Sequence, residues 1–141
     1  MKRIYMDHGA STPVDKEVID EMIPYFDKYF GNPSSIHSFG REASDAVEES
    51  RSKVADILNA DADEIIFTSG GTESDNLGIK GVAYLNKDKI GSKGNHIITS
   101  SIEHPAVLAT CEHLEKQGFN VKYLPVDKYG IIRIKDLEEA I

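Results

Sequence analysis

The ten residues FTSGGTESDN, Phe67–Asn76, decide the fold class of this chain. They overlap the end of a short apolar run, EIIFT at 64–68, whose length and composition indicate a buried strand. They lead into residues 73–85, which are predicted to form a helix. A strand that passes through a tight turn into a helix is typical of α/β proteins.

The turn inside this stretch has the composition of a phosphate-binding loop. Gly70 and Gly71 allow a tight turn and a close approach to a ligand because neither carries a Cβ. The helix that follows offers free N–H groups and the positive end of its dipole, and Ser69 and Thr72 add hydroxyl donors. The alternative is a plain strand-to-helix turn in which Thr72 and Glu73 have ordinary capping roles. These residues alone leave both interpretations open.

Strand-like and helix-like segments alternate through the rest of the chain. The predicted strands are 4–6, 64–68, 96–100 and 120–124, and the predicted helices are 15–23, 43–58, 73–85, 105–117 and one that begins at 135. The last three strands, separated by helices, predict right-handed crossovers and an α/β fold with a mostly parallel sheet and flanking helices. Three parallel strands make a thin sheet, so the fold is expected to be incomplete in this chain.

One histidine lies where open α/β sheets bind ligands. His104 follows the predicted strand 96–100 and precedes a helix opened by Pro105, which places it at the carboxyl edge of the sheet with Gly71 and Thr72. An imidazole there could stack on an aromatic cofactor and move protons near neutral pH. The alternative is that His104 is only the N-cap of the helix that follows it.

Composition and charge exclude several classes of protein. The 141 residues carry 24 acidic and 16 basic side chains, a net charge of −8, and show no clustered Lys or Arg of the kind that nucleic-acid binding needs. No histidine pair has the spacing of a zinc site, and the single cysteine, Cys111, falls on an apolar helix face as a core thiol. One cysteine and the lack of a signal or membrane-spanning segment predict a cytoplasmic location.

Four segments together resemble one enzyme family. They are YMDHGASTP at 5–13, GNPSSIH at 31–37, FTSGGTESDNLGIKG at 67–81 and HIITSSIEHPAVL at 96–108. Their order and spacing are similar to those of cysteine desulfurases of the NifS/IscS type, which are fold-type I enzymes dependent on pyridoxal 5'-phosphate (PLP) and related to class V aminotransferases.

The resemblance implies a role for several residues. Gly71 and Thr72 correspond to the pair that holds the PLP phosphate, and His104 to the histidine that stacks on the pyridine ring and acts in proton transfer. Residues 1–14 would belong to the small domain of the parent fold. Residues 15–141 would form an incomplete PLP-binding large domain of the aspartate aminotransferase-like type.

The resemblance also implies a reaction and partners. The complete enzyme would be a homodimer that converts L-cysteine to L-alanine, passes sulfur to an enzyme cysteine as a persulfide, and delivers it to an acceptor or an iron–sulfur scaffold protein. The Schiff-base lysine, the aspartate at the pyridine nitrogen and the persulfide cysteine would lie beyond Ile141, so the isolated chain is expected to be inactive.

Two other functions remain open. One is a non-catalytic module that binds a phosphorylated ligand or a partner protein. The other is a relative with different chemistry, such as a selenocysteine lyase or another class V aminotransferase. The segments GNPSSIH and SGGTESDN favour the desulfurase over both.

Overall fold

A computed structural model describes residues 3–87 and 94–141 of the chain. The chain divides into two compact units, Met1–Ile66 and Phe67–Ile141. This division concerns the packing of the chain, whereas the boundary predicted after residue 14 concerns the domains of a parent fold and stays a prediction.

The first unit is helical. Its helices are α1 at Lys16–Met22, α2 at Pro24–Asp27 and α3 at Ser38–Leu58, followed by a 3-10 turn at Ala62–Glu64. The Asp15 side chain caps α1, and Pro24 opens α2 at a position where a missing N–H costs nothing. His37 caps α3, which therefore begins five residues before the predicted 43, and Asn59 ends it in the left-handed conformation.

The second unit is a β-α-β unit with further helices. Its elements are α4 at Gly71–Lys87, β1 at His96–Ser100, α5 at Pro105–Lys116, β2 at Asn120–Leu124 and α6 at Ile134–Glu138. Strands β1 and β2 pair in parallel from His96 opposite Asn120 to Ser100 opposite Leu124, and α5 is the crossover between them. Gly118, with φ of 87°, ends α5 with two reverse-turn hydrogen bonds, from Gly118 N–H to Glu115 and from Phe119 N–H to Leu114.

The core of the second unit lies where α4 and α5 meet the sheet. Leu114 is fully buried, and Ala83 and Phe119 are buried beside it. Ile79, Ile97 and Val121 pack against this cluster. The position of α4 is therefore fixed by apolar contacts of its C-terminal half.

The predicted α/β class with a parallel sheet and flanking helices is confirmed, but two predicted strands do not form. Residues 4–6 and 65–68 have no regular structure, and residue 64 ends the 3-10 turn. A strand exists only when a neighbouring chain segment completes its hydrogen bonds, and none of the described residues pairs with 64–68. The sheet of the described residues therefore has two strands and not three.

The two glycines between the predicted helix 73–85 and the predicted strand 96–100 indicate a loop, and most of it, residues 88–93, lies outside the described residues. In the part of the chain that the structure covers, no helix combines the length and the apolar character needed to cross a membrane.

Candidate functional site

The glycine turn leads directly into α4, whose first residue is Gly71. The helix closes its first backbone hydrogen bond from Ser74 N–H to the Gly70 carbonyl, at 3.1 Å. The N–H groups of Gly71, Thr72 and Glu73 come before this bond and have no acceptor within the helix. A Cβ added at Gly70 or Gly71 would meet nothing within 4 Å, so the space beside the turn is open.

The carboxylate of Glu73 folds back onto Ser69. Its Oε2 accepts the backbone N–H of Ser69 at 2.6 Å and the Ser69 hydroxyl at 2.7 Å. These hydrogen bonds, the backbone one first, lower the pKa of Glu73 below its ordinary value. Glu73 therefore remains ionised at neutral pH.

The donors left free at the turn suit a phosphate group. The sequence predicted a hydroxyl donor from Ser69, but this hydroxyl is bonded to Glu73, so Ser69 is not free in this structure. The Thr72 hydroxyl has no partner among the described residues, and it stands beside the open N–H groups of the first turn of α4. Open space, backbone donors and a hydroxyl at a helix N-terminus fit the phosphate of PLP.

A second set of hydrogen bonds holds the same turn. The Thr68 and Ser74 hydroxyls are 2.6 Å apart, and the Thr68 hydroxyl also lies 3.2 Å from the Gly70 carbonyl oxygen. Asn76 donates to the Thr72 carbonyl at 2.9 Å, within the first turns of α4. Hydrogen bonds of the turn's own side chains therefore hold its conformation without a ligand.

His104 is the N-cap of α5. Its Nδ1 accepts the backbone N–H of Ala106 at 3.1 Å. In the neutral ring the proton is then on Nε2, because a nitrogen that accepts a hydrogen bond carries no proton. Nε2 has no partner in the described part of the chain, and the side chain is exposed. The structure therefore confirms the capping role that the sequence left as an alternative, while one ring nitrogen stays free for a ligand.

The helices α4 and α5 bring the two sets of residues to the same end of the second unit. Tyr84 on α4 contacts Nε2 of His113 on α5 at 3.4 Å, and Lys87 Nζ donates to the Gln117 carbonyl, just after α5, at 2.9 Å. The second contact lies toward the C-terminus of the first on both α4 and α5, so the two helices run in the same direction. The N-terminal turn at Gly71 and the capping His104 therefore lie at corresponding ends.

Asn32–His37 belongs to the motif GNPSSIH, and the resemblance to cysteine desulfurases implies that this loop lines the active-site region. In the structure it is a tightly held loop in the first unit. Asn32 accepts the N–H of Ser34 through its side chain and the N–H of Ser35 through its carbonyl, both at 2.9 Å. His37 caps α3 through Nδ1, which accepts the N–H of Gly40 at 3.3 Å. Its relation to the site stays a prediction.

Cys111 is a core residue, as predicted. It is 1% exposed, and burial raises the pKa of its thiol. A thiol with a raised pKa is a poor nucleophile at neutral pH. Among the described residues there is no group of three His, Cys, Asp or Glu side chains placed to hold a metal ion.

Residues 4–141 match the model of the family described as Aminotransferase class-V. The chain belongs to this family.

Curated proteins with sequences similar to this chain include cysteine desulfurases. Cysteine desulfurase IscS of Methanosarcina thermophila is 57% identical over 140 residues, which are 99% of this chain and 34% of the relative. Cysteine desulfurase IscS of Dictyoglomus turgidum is 54% identical over 142 residues, 100% of this chain and 35% of the relative. The chain spans about a third of the length of the curated relatives it matches. The predicted resemblance to the N-terminal part of a longer desulfurase is confirmed.

Solved structures show the same relationship. The structure of a NifS-like protein superposes with a TM-score of 0.91 at 42% identity, over 99% of this chain and 37% of that one. The structure of SspA in complex with cysteine superposes with a TM-score of 0.85 at 45% identity, over 97% of this chain and 38% of that one. The α/β arrangement of this chain is therefore shared with somewhat more than a third of each of these larger structures.

The sequence does not predict one contact at the turn. It indicates an ordinary capping role for Glu73, whereas in the structure Glu73 accepts both donors of Ser69 across the two glycines. A usable signal was present, because a glutamate at the third helical position often reaches back to an N–H before the helix.

Proposed function

We propose that the polypeptide to which this chain belongs is a PLP-dependent cysteine desulfurase, and that Gly71, Thr72 and His104 form part of its cofactor site. The observation that carries this proposal is the open turn at Gly70 and Gly71, where free N–H groups and the Thr72 hydroxyl converge at a helix N-terminus. Membership of the class-V family and identities above 50% to named desulfurases support PLP as the phosphate-bearing ligand.

The cofactor would supply an electron sink that weakens bonds of an amino-acid substrate. Gly71 and Thr72 would hold the phosphate through backbone N–H groups and a hydroxyl. The dipole of α4 adds a favourable positive potential at this position. No residue of the turn needs to be charged for this contact.

His104 would place its ring beside the cofactor with Nε2 free. The bond from Ala106 N–H fixes the ring at Nδ1, so the neutral ring offers an N–H at Nε2. In this state the imidazole donates a hydrogen bond and does not accept a proton. Proton uptake at Nδ1 requires the capping bond to open.

The substrate, partners and location follow from the same proposal. The substrate would be L-cysteine and the products L-alanine and enzyme-bound sulfur, carried as a persulfide to a sulfur acceptor or an iron–sulfur scaffold protein. The names of the relatives and the cysteine complex of SspA support this chemistry. We further propose that the complete enzyme is a homodimer in the cytoplasm.

Binding of PLP and of pyridoxal, which lacks the phosphate, tests the phosphate cradle, which is the site that Gly71 and Thr72 would form for the phosphate group. The protein should bind PLP more tightly, and Thr72→Val should reduce this preference about tenfold, since it removes a hydroxyl bonded to a charged group at nearly constant volume. Isothermal titration calorimetry gives both dissociation constants.

Ser52→Ala is the matched control, because the exposed Ser52 hydroxyl donates to the Glu48 carbonyl within α3 and, among the described residues, to nothing outside this helix. It should leave the preference unchanged. Equal affinity of the unsubstituted protein for PLP and pyridoxal would contradict the proposal.

A further inference from the structure

One carboxylate spans both glycines of the turn. Oε2 of Glu73 accepts two hydrogen bonds, and both come from Ser69, four residues earlier. The ring closed in this way contains Gly70, Gly71 and Thr72. Glu73 therefore joins the chain before the glycines to the first turn of α4.

Gly70 and Gly71 make the turn conformationally variable unless a hydrogen bond such as that between Glu73 and Ser69 restricts it. Gly populates more backbone conformations than any other residue, so two in succession lose the most conformational entropy when a turn becomes ordered. Hydrogen bonds to a carboxylate are stronger than those between neutral groups. Glu73 thus restricts the part of the turn that is otherwise the most variable.

The second bridge across the turn does not replace this one. The hydroxyl pair of Thr68 and Ser74 and the contact of Thr68 with the Gly70 carbonyl leave the Ser69 peptide without an acceptor. Among the described residues, Glu73 is the acceptor of the Ser69 N–H. The orientation of the peptide that joins Thr68 to Ser69 therefore depends on Glu73.

We infer that Glu73 is a positioning residue of the phosphate cradle, which it orders before the ligand binds by accepting both donors of Ser69. This inference rests on the proposed function. It adds that the cradle at Gly71 and Thr72 is preorganised by a side chain that does not contact the phosphate. Preorganisation raises affinity because the entropy of ordering the loop is not lost on binding.

Charge repulsion acts in the opposite direction. An ionised Glu73 near a phosphate disfavours its binding, so removal of the charge would tighten binding if repulsion dominated. The two effects predict opposite signs for Glu73→Met, which removes both the acceptor and the charge. Ser69→Ala separates them further, since it removes one of the two hydrogen bonds and keeps the charge.

The experiment measures the ratio of pyridoxal to PLP dissociation constants in four variants. Glu73→Met, which has no acceptor for the Ser69 donors at similar side-chain length, should lower the ratio about tenfold, and Ser69→Ala about threefold. The double variant should equal Glu73→Met alone, because Ser69→Ala removes a hydrogen bond that Glu73→Met has already removed. Asp75→Asn is the matched control: it removes an equal charge two residues further along α4, has no hydrogen bond to the turn, and should leave the ratio within about twofold.

Hydrogen–deuterium exchange of the ligand-free protein gives a readout independent of the cofactor. The amides of Ser69 to Gly71 should exchange faster in Glu73→Met and at an unchanged rate in Asp75→Asn. A raised affinity ratio in Glu73→Met, additive effects in the double variant, or unchanged exchange at Ser69 in Glu73→Met would each overturn the inference. A ratio near one in the unsubstituted protein would overturn the proposed function instead, and the positioning role with it.

Discussion

The two nitrogens of His104 have different surroundings. Nδ1 accepts the Ala106 N–H and begins α5, while Nε2 is free among the described residues. The sequence presented capping and ligand binding as alternatives because both follow from one position in front of a helix. The structure makes them compatible, since each involves a different atom of the ring.

Substitution of His104 can separate these two roles. His104→Ala removes the cap and the ring, and should lower the free energy of unfolding by about 1 kcal/mol. His104→Asn keeps a good capping acceptor and should restore most of that stability. Both variants should lose any contribution of the ring to PLP binding. Denaturant unfolding and PLP titration of the same samples check this, and a His104→Asn variant as unstable as His104→Ala would contradict the capping role.

The titration of Glu73 gives a second prediction for a single residue. Hydrogen bonds from Ser69 hold the pKa of Glu73 below its ordinary value of 4.5. The stability that this carboxylate contributes to the turn is present above 4.5 and is lost as the pH falls through the lowered value. The Ser69 amide signal in a pH series of ¹H–¹⁵N spectra should therefore shift with a midpoint below 4.5. Glu73→Gln should abolish this transition, and a midpoint at or above 4.5 would contradict the bonding described.

At the scale of elements, the start of α3 depends on two glycines packed against the backbone. A Cβ at Gly31 would overlap the Phe39 carbonyl, and one at Gly40 would overlap the Ser35 carbonyl. Ser35 cannot move away freely because its N–H is bonded to Asn32. The loop before α3 and the first turn of the helix are therefore in direct backbone contact.

Alanine substitutions at two helical glycines test this contact. Gly40→Ala should lower the free energy of unfolding by about 2 kcal/mol, because the added methyl group overpacks a fixed site. Gly81→Ala is the matched control in α4, where a Cβ meets nothing within 4 Å. It should raise stability by up to about 1 kcal/mol, the difference in helix propensity. Equal effects in chemical denaturation would count against the close packing at Gly40.

Local signals predicted the helices better than the strands. Pro105 and Gly118 mark the ends of α5, and the predicted 105–117 differs from Pro105–Lys116 by one residue. The run 64–68 has strand composition, yet a strand needs a partner, and its own sequence does not contain that information. The site shows the same limit: the free donors of Gly71 and Thr72 follow from the turn, whereas the bond from Ser69 to Glu73 depends on a side-chain orientation that spacing does not determine.

At the scale of the whole molecule, apolar surface is exposed around the sheet of the second unit. Val82 and Leu85 on α4 are 63% and 60% exposed. In the described ranges β1 pairs only with β2, so its other edge has no hydrogen-bond partner. An apolar groove of about 610 Å³ between α4 and this edge is lined in part by Ile79, Val82 and Ile97. Such surfaces favour association.

The 141-residue chain should therefore self-associate in solution. Val82→Lys should reduce the associated fraction without loss of stability, because the side chain is exposed and its replacement is charged. Ser52→Lys changes the net charge equally on an exposed face of α3 and should have little effect. Size-exclusion chromatography with light scattering at several concentrations measures this. A monodisperse monomer that melts cooperatively would contradict the prediction.

The common direction of α4 and α5 has a consequence for the approach of an anionic ligand. With a net charge of −8, the molecule would repel PLP at long range, whereas the helix N-termini of the proposed site would attract it within a few ångströms. Mobile ions screen the first interaction strongly, over about 10 Å at 0.1 M salt, and the second much less. Added salt should thus increase the rate at which the cofactor associates while changing its residence time little. A site that attracts its ligand by long-range electrostatic steering shows the opposite, because its association rate falls with added salt.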